Sequence, residues 1–378
     1  MEKATLSVIV PVYNVEEYIG KCLDSILAQK RLPEEILCVN DGSTDGSLAV
    51  LKEYETKSSL IRIINKENGG LVSARKAGLL QATGDYISYI DGDDWIEEEM
   101  YSGLMQYADS HMPDIITSQI IRDYGTSQVL DEDYIPEGLY QGEEVQTRVC
   151  SELVDTENFF RKNLKTHMAS KLFRREFLNP LQQNVPDALV LGEDEAVVYP
   201  AILATRGIYI SHEAYYHYCF RQESLCHGSE NSWLDIIAFL KTAMASVVES
   251  DDRIRRQFDQ ITLAHRLYEG EAGVLNYADG VLSPYGNIPE GSRVVVYGAG
   301  TFGKVLHGFV QNCPELHLVA WVDKNSKLPG IIRPDEMNTL DFDFVLIAVV
   351  LGDVAASIEG ALKDMGIPPE KIKRVTCE

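Results

Sequence analysis

The sequence predicts an α/β fold: a mostly parallel sheet flanked by helices, then a helical middle region and a small α/β domain at the C-terminal end. Three observations predict it. Short β-branched runs alternate with stretches of helical period over the first hundred or so residues. No tight hairpin turn joins these runs, so successive strands need helical crossovers and lie parallel, covered on both faces. The same alternation returns after a segment rich in Pro, Gly and Ser at 283–292.

The elements follow in order. "LSVIVPVY" is a strand stopped by Pro11, and "EEYIGKCLDSILAQ" puts Tyr18, Ile19, Cys22, Leu23, Ile26 and Leu27 on one helical face. "EILCVN" is a second strand. "DGSTDGSLAVLKEYE" starts as a turn and becomes a helix, with Ser43, Thr44 or Asp45 as caps. "LIRII" is a third strand, "GGLVSARKAGLLQAT" a helix opened by glycines, "DYISYI" a fourth strand and "EEEMYSGLMQYA" a fourth helix. Beyond residue 114, "DIITSQII" and "GIYISHEAYYHYCF" read as strands, and "ENFFRKNLKTHMASKLFRREFL" as a locally basic helix. Residues 231–282 read as helical. "RVVVYGAG", "TFGKVLHGFVQN", "LHLVAWVD", "FDFVLIAVV" and "VAASIEGALKDMG" then repeat the strand and helix pattern. The expected domains are 1–230, a helical extension with linker at 231–288, and 289–378.

Composition narrows the function classes. The 378 residues are 45% hydrophobic and 24% charged, enough apolar content for a sizeable core. A formal charge of −24 argues against a nucleic-acid binder, which carries a basic face. The seven cysteines (Cys22, Cys38, Cys150, Cys219, Cys226, Cys313 and Cys377) form no CxxC pair or zinc-ligand spacing and read as reduced thiols of a cytoplasmic protein. "MEKATLSVIV" lacks the basic and long apolar regions of a signal peptide, and no apolar run reaches the ~20 residues of a membrane helix.

The chemistry concentrates in acidic motifs. In "YISYIDGDDW", Asp91, Asp93 and Asp94 crowd the end of the fourth strand. One of them suffices to cap the next helix, and three close together repel one another. A divalent cation, Mn²⁺ or Mg²⁺, removes that cost and keeps positions open for phosphate oxygens, which makes the cluster an anchor for a diphosphate. Asp41 ends the second strand. "NGGLVSARKAG" starts a helix whose free N–H groups, with Arg75, suit an anion. Ligands of such sheets sit beyond the carboxyl ends of the strands, where Asp41 and Asp91–Asp94 fall.

Four ordered motifs, "SVIVPVYNVEEYIGKCLDSILAQ", "ILCVNDGSTDGS", "NGGLVSARKAG" and "DYISYIDGDDW", resemble those of family 2 glycosyltransferases, whose fold is GT-A. The resemblance is close over residues 5–110 and looser to about 230. It implies a polysaccharide-building transferase moving a hexosyl or N-acetylhexosaminyl group, with inversion, from a nucleotide sugar, a UDP-sugar, to a glycan or lipid-linked acceptor, in the cytoplasm or at the inner membrane face. Pro11, Val12 and Tyr13 would line the nucleotide pocket and Asp41 would accept from the uracil ring. Asp91 and Asp93, around Gly92, would be the DxD pair touching ribose and metal, with Asp94 beside them. In "VLGEDEAVVYP", acids that also suit a helix start, the resemblance makes Asp194 the general base, next to Glu193. "YYHYCFRQESLCHG" echoes a Tyr-rich strand leading to a loop near the diphosphate, with Arg221, Ser224 and His227 as candidates.

"VVVYGAGTFGK" carries Gly298, Gly300 and Gly303 as G-x-G-x-x-G between a strand and a helix, and Asp323 closes the next strand, placed for a ribose hydroxyl. This small Rossmann-like domain is expected to bind a nucleotide or NAD(P), or to be an oligomerising module. A second reading of the chain follows from it: an NAD(P)-dependent oxidoreductase or a nucleotide-binding sensor.

Overall fold

The computed structural model describes residues 3–154, 161–220, 232–324 and 328–376. The chain divides into two compact units, Met1–Glu152 with Asn163–Asn231 and Ala238–Val247, and Leu153–Lys162 with Ser232–Ile237 and Val248–Glu378.

The first unit begins with strands β1 (Leu6–Val12), β2 (Glu35–Asp41), β3 (Ile61–Lys66) and β4 (Tyr86–Tyr89), linked through helices α1 (Ile19–Leu27), α2 (Ser47–Lys57) and α3 (Gly70–Gln81). The four strands pair in parallel in the order β3-β2-β1-β4. β1 lies between β2 and β4 and is buried along its whole length, as a continuous apolar run in a two-sided parallel sheet must be. The expected face of α1 is the buried one: Ile19, Cys22, Leu23 and Ile26 face the core. α4 (Met100–His111) follows the short β5 (Trp95–Ile96).

The sheet continues through β6 (Ile115–Asp123), β7 (Gln128–Asp131), β8 (Gly138–Gln141), β9 (Lys171–Arg174) and β10 (Gly207–Cys219). β9 inserts antiparallel between β4 and β6, while β10 runs parallel to β6. The segment read as one basic helix at 157–178 is therefore corrected. Residues 155–160 lie outside the described residues, Lys171–Arg174 form a strand, and helix begins only at α5 (Arg175–Asn184). Lys171, Leu172 and Phe173 are buried in the middle of the sheet, and that burial outweighs their helix propensity. α6 (Glu193–Ala204) opens with three acids in its first turn, and α7 (Trp233–Ala243) and α8 (Ala245–Ser250) come later in the chain.

In the second unit α9 (Asp252–Glu269) is capped by Asp251, which accepts from the Arg253 N–H, and ends at Gly270 with φ +76°. β11 (Asn276–Ala278), β12 (Val281–Ser283) and β13 (Gly286–Asn287) form a small antiparallel sheet. The Pro- and Gly-rich segment expected to be a linker supplies β13 and the last residue of β12, and Tyr285 and Ile288 are buried in the apolar core there. β14 (Arg293–Tyr297), β15 (His317–Val322), β16 (Ile331–Ile332), β17 (Phe344–Ile347) and β18 (Ile372–Lys373) make a parallel sheet in the order β16-β15-β14-β17-β18. This is the 3-2-1-4-5 order of a Rossmann-like sheet, with α10 (Thr301–Asn312) and α11 (Gly352–Asp364) as crossovers. The five described cysteines are free thiols. Among the described residues no helix is long and apolar enough to cross a membrane.

Candidate active site

Parallel pairing lays the ends of three strands side by side. Asp41 ends β2, Pro11 and Val12 end β1, and the loop Asp91–Asp94 follows β4. A Cβ on Gly92 would lie 3.1 Å from the Pro11 carbonyl oxygen and from Val15 Cγ2, so the acidic loop packs closely on the end of β1. Pro11 and Val12 are buried, while Tyr13 is 43% exposed at this edge.

Each carboxylate has its own environment. Asp41 is 3% exposed; it accepts from Lys66 Nζ and from the N–H groups of Gly69 (3.0 Å) and Gly70 (2.8 Å). The helix start expected to offer free N–H groups to a ligand is thus capped by a residue of the neighbouring strand. Asp94 is 2% exposed, and both its oxygens are engaged: Cys219 N–H donates to Oδ1 at 2.8 Å and the Tyr216 hydroxyl to Oδ2 at 2.5 Å. Burial first, then Asp93 and Asp91, hold its carboxyl well above the usual range. Through both oxygens Asp94 ties the loop to β10. Asp91 and Asp93 stay partly exposed. Burial, with Asp93 and Asp194 adding to it against the pull of Arg75, pushes Asp91 up to about 6.

Arg75, expected among the nucleotide-sugar contacts, is 2% exposed. Its Nη1 donates to Asp194 Oδ1 at 2.6 Å and its Nη2 to Asp91 Oδ1 at 3.4 Å, with the guanidinium 5.5 Å from the centre of the Tyr89 ring. One cation thus joins the acidic loop after β4 to the acidic start of α6, over a hundred residues on. The other Asp194 oxygen accepts from the Met168 N–H at 3.2 Å. Glu193 beside it is pushed up to about 8, by burial and then by Asp194, with Arg75 opposing. Its ordinary value is ~4.3, so these surroundings favour its protonated form.

Tyr216 was not singled out from the sequence. Its hydroxyl also accepts from the Asp91 N–H at 3.3 Å, so one side chain braces both ends of the acidic loop. Tyr216 and His217 are both buried after a register shift in β10, so strand alternation does not single Tyr216 out. Arg221, Ser224 and His227 lie outside the described residues. Among the described residues no group of three or more His, Cys, Asp or Glu gathers as a metal cage. The hard-oxygen donors facing outward at the loop are those of Asp93 and Asp91, a set that suits Mg²⁺ or Mn²⁺ when phosphate and water complete the shell.

In the second unit Gly298 has φ +119°, and a Cβ on Gly303 would meet the Gly298 carbonyl oxygen at 2.1 Å. Glycine is required at both. Asp323 Oδ2 accepts from the Ala299 N–H at 2.8 Å, so one of its oxygens holds the glycine turn. Trp321 Nε1 donates to the Gly298 carbonyl at 2.8 Å and packs its ring on His307.

Residues 7–171 match the family model described as glycosyl transferase family 2. The chain is 28% identical over 295 residues to glycosyltransferase GlyA of Streptococcus pneumoniae, covering 72% of this chain and 40% of that one. It is 28% identical over 222 residues to the poly(ribitol-phosphate) beta-glucosyltransferase of Bacillus spizizenii, covering 58% of this chain and 32% of that one. The chain spans less than half the length of these two relatives. The crystal structure of S. aureus TarS 1-349 in complex with UDP-GlcNAc superimposes with a TM-score of 0.54 at 22% identity, covering 67% of this chain and 71% of that one, and shares the fold. With the GT-A sheet in place and the acidic motifs along one edge of it, residues 7–171 of this chain are similar to the family 2 glycosyltransferases.

Proposed function

We propose that this protein transfers a sugar, with inversion, from a UDP-sugar to a hydroxyl of a glycan or lipid-linked acceptor in cell-surface polysaccharide synthesis. The observation that carries the proposal is the Arg75 bridge, which brings Asp91 and Asp194 to one guanidinium. A single displacement needs two opposed functions in one place: something to hold the leaving diphosphate and something to take the proton of the attacking hydroxyl.

Asp194 is the proposed base. The Arg75 and Met168 donors fix its two oxygens in orientation, and its side chain remains 22% exposed, so a hydroxyl can reach it. Protonated Glu193 adds no second negative charge beside it. On the donor side Asp93 and Asp91 would hold a divalent cation. When bound, it would supply Lewis-acid stabilisation of the departing diphosphate. Tyr13, exposed just beyond β1, would cover the uracil ring, and Asp41 would accept from it.

Asp194→Asn is expected to lower UDP-sugar turnover roughly 10²–10⁴-fold while UDP affinity stays within a few-fold. Turnover at the wild-type rate would remove Asp194 from the mechanism. Asp93→Ala is expected to weaken UDP binding only when Mn²⁺ is present. A lipid-linked acceptor would bring the chain to the inner membrane face, which co-sedimentation with anionic vesicles tests. For the second unit we propose nucleotide binding at the turn around Gly298, supported by the close approach that glycine permits there. Titration with NADH and with UDP-sugars, followed by fluorescence and melting temperature, decides between a dinucleotide, a nucleotide sugar and no ligand.

A further inference from the structure

Outside the carboxylate site, the first unit gathers cations around one acid. Arg122 on β6 gives Nε and Nη2 to Asp131 Oδ2 at 3.0 and 2.6 Å. Lys165 Nζ lies 3.0 Å from Asp131 Oδ1, and His167 Nε2 lies 3.6 Å from Oδ2. Lys171, buried behind them, donates its Nζ to the His167 carbonyl at 2.9 Å. The acids facing this group are Asp131, which these cations hold well below the usual carboxylate range, and buried Asp133, whose Oδ1 accepts from the Lys165 N–H at 2.7 Å. Three cations, four when His167 is protonated, thus face two carboxylates, in a chain whose net charge is −24.

The cluster is tied to the site from two directions. His167 precedes Met168, whose N–H holds Asp194. Arg122 precedes Asp123, which pairs with Cys219, whose N–H holds Asp94. Arg122 and His167 are partly exposed, at 39% and 35% of their side chains. Asp131 engages two of the five guanidinium donors of Arg122, and an ammonium has three donors, so the cations keep capacity for a second anion.

We propose that Arg122, Lys165 and His167 form an acceptor-side subsite for an esterified phosphate, so that the hydroxyl glycosylated at Asp194 belongs to a phosphate-bearing acceptor. Three separate cationic side chains with donors to spare suit the several oxygens of a phosphate ester. The acceptor side, rather than the donor diphosphate, is favoured because His167 and Lys165 share their loop with the residue that holds Asp194. This inference rests on the transferase reading above.

The test is calorimetric titration of the full chain with glycerol 3-phosphate, inorganic phosphate and glycerol, with and without saturating UDP and Mg²⁺. Glycerol 3-phosphate is expected to bind with UDP present, and glycerol not to. Lys165→Met and Arg122→Gln should each weaken that binding about tenfold or more, and Lys165→Arg should retain it. UDP titrations and melting temperatures on the same variants show whether the fold and donor site persist. Absence of glycerol 3-phosphate binding, its displacement by UDP, or affinities unchanged in both charge-removing variants would overturn the proposal. Inorganic phosphate binding alone would overturn it too, because an acceptor phosphate is esterified. If UDP itself fails to bind the wild-type chain, it is the transferase reading that fails, and the phosphate titrations still report on the subsite.

Discussion

Arg75 shows how a single buried charge can organise a site. It is wholly enclosed, and its partners Asp91 and Asp194 are 29% and 22% exposed, so their far sides remain open while their inner oxygens are fixed. Removing the guanidinium leaves two carboxylates facing each other without a cation. Arg75→Met is therefore expected to cost on the order of 3 kcal/mol, read from urea unfolding, and to weaken activity beyond what the stability loss explains. Its burial follows a local pattern, since Val72, Arg75 and Leu79 fall at helical spacing on the buried face of α3. Its partners follow none, since Asp91 and Asp194 are far apart in the chain. Glu193 gives a pH signature. Its folded-state value, about 8, lies above the unfolded ~4.3, so the folded chain holds the proton more tightly between them. Stability contributed by this group is present below pH ~4.3 and is lost as pH rises towards 8. Glu193→Gln should flatten the fall in melting temperature between pH 5 and 8, and an unchanged slope would contradict this.

At the level of elements, β10 links the acidic loop to the rest of the sheet. The Tyr216 hydroxyl serves Asp94 Oδ2 and the Asp91 N–H together. Tyr216→Phe leaves Asp94 buried with a single partner, and a loss of about 1–3 kcal/mol is expected, with UDP affinity weakened because the loop loosens. Equal affinity in the variant would show that the loop holds its shape without β10. β9 marks where local pattern misleads. "KLFR" has no strand alternation of its own, and a helix follows it directly, but the gap between β4 and β6 is filled by backbone pairing on both sides. Pairing partners distant in sequence decide such a strand, so a window-by-window reading misses it.

The whole molecule carries separate apolar cores in its two units. One includes Val8, Ile19, Leu104 and Tyr216; others, around Leu306 and around Val345, belong to the second unit. Thermal unfolding is expected in two transitions, of which UDP with Mn²⁺ raises only one. A single transition shifted as a whole would show that the units unfold together.

The sequence by itself determined the α/β class, the motifs it shares with family 2 glycosyltransferases, the order of the first four strands and helices, and the glycine turn at Gly298–Gly303. Each of these is written in local period or in a short ordered motif. Tertiary structure decided which acids stay available. It tied Asp94 into the sheet and set Asp41 as the cap of α3. It also made Arg75 the bridge between Asp91 and Asp194. The reason is physical: a motif records which groups are present, whereas burial and hydrogen-bond partners from distant strands determine which of their atoms are still free to act.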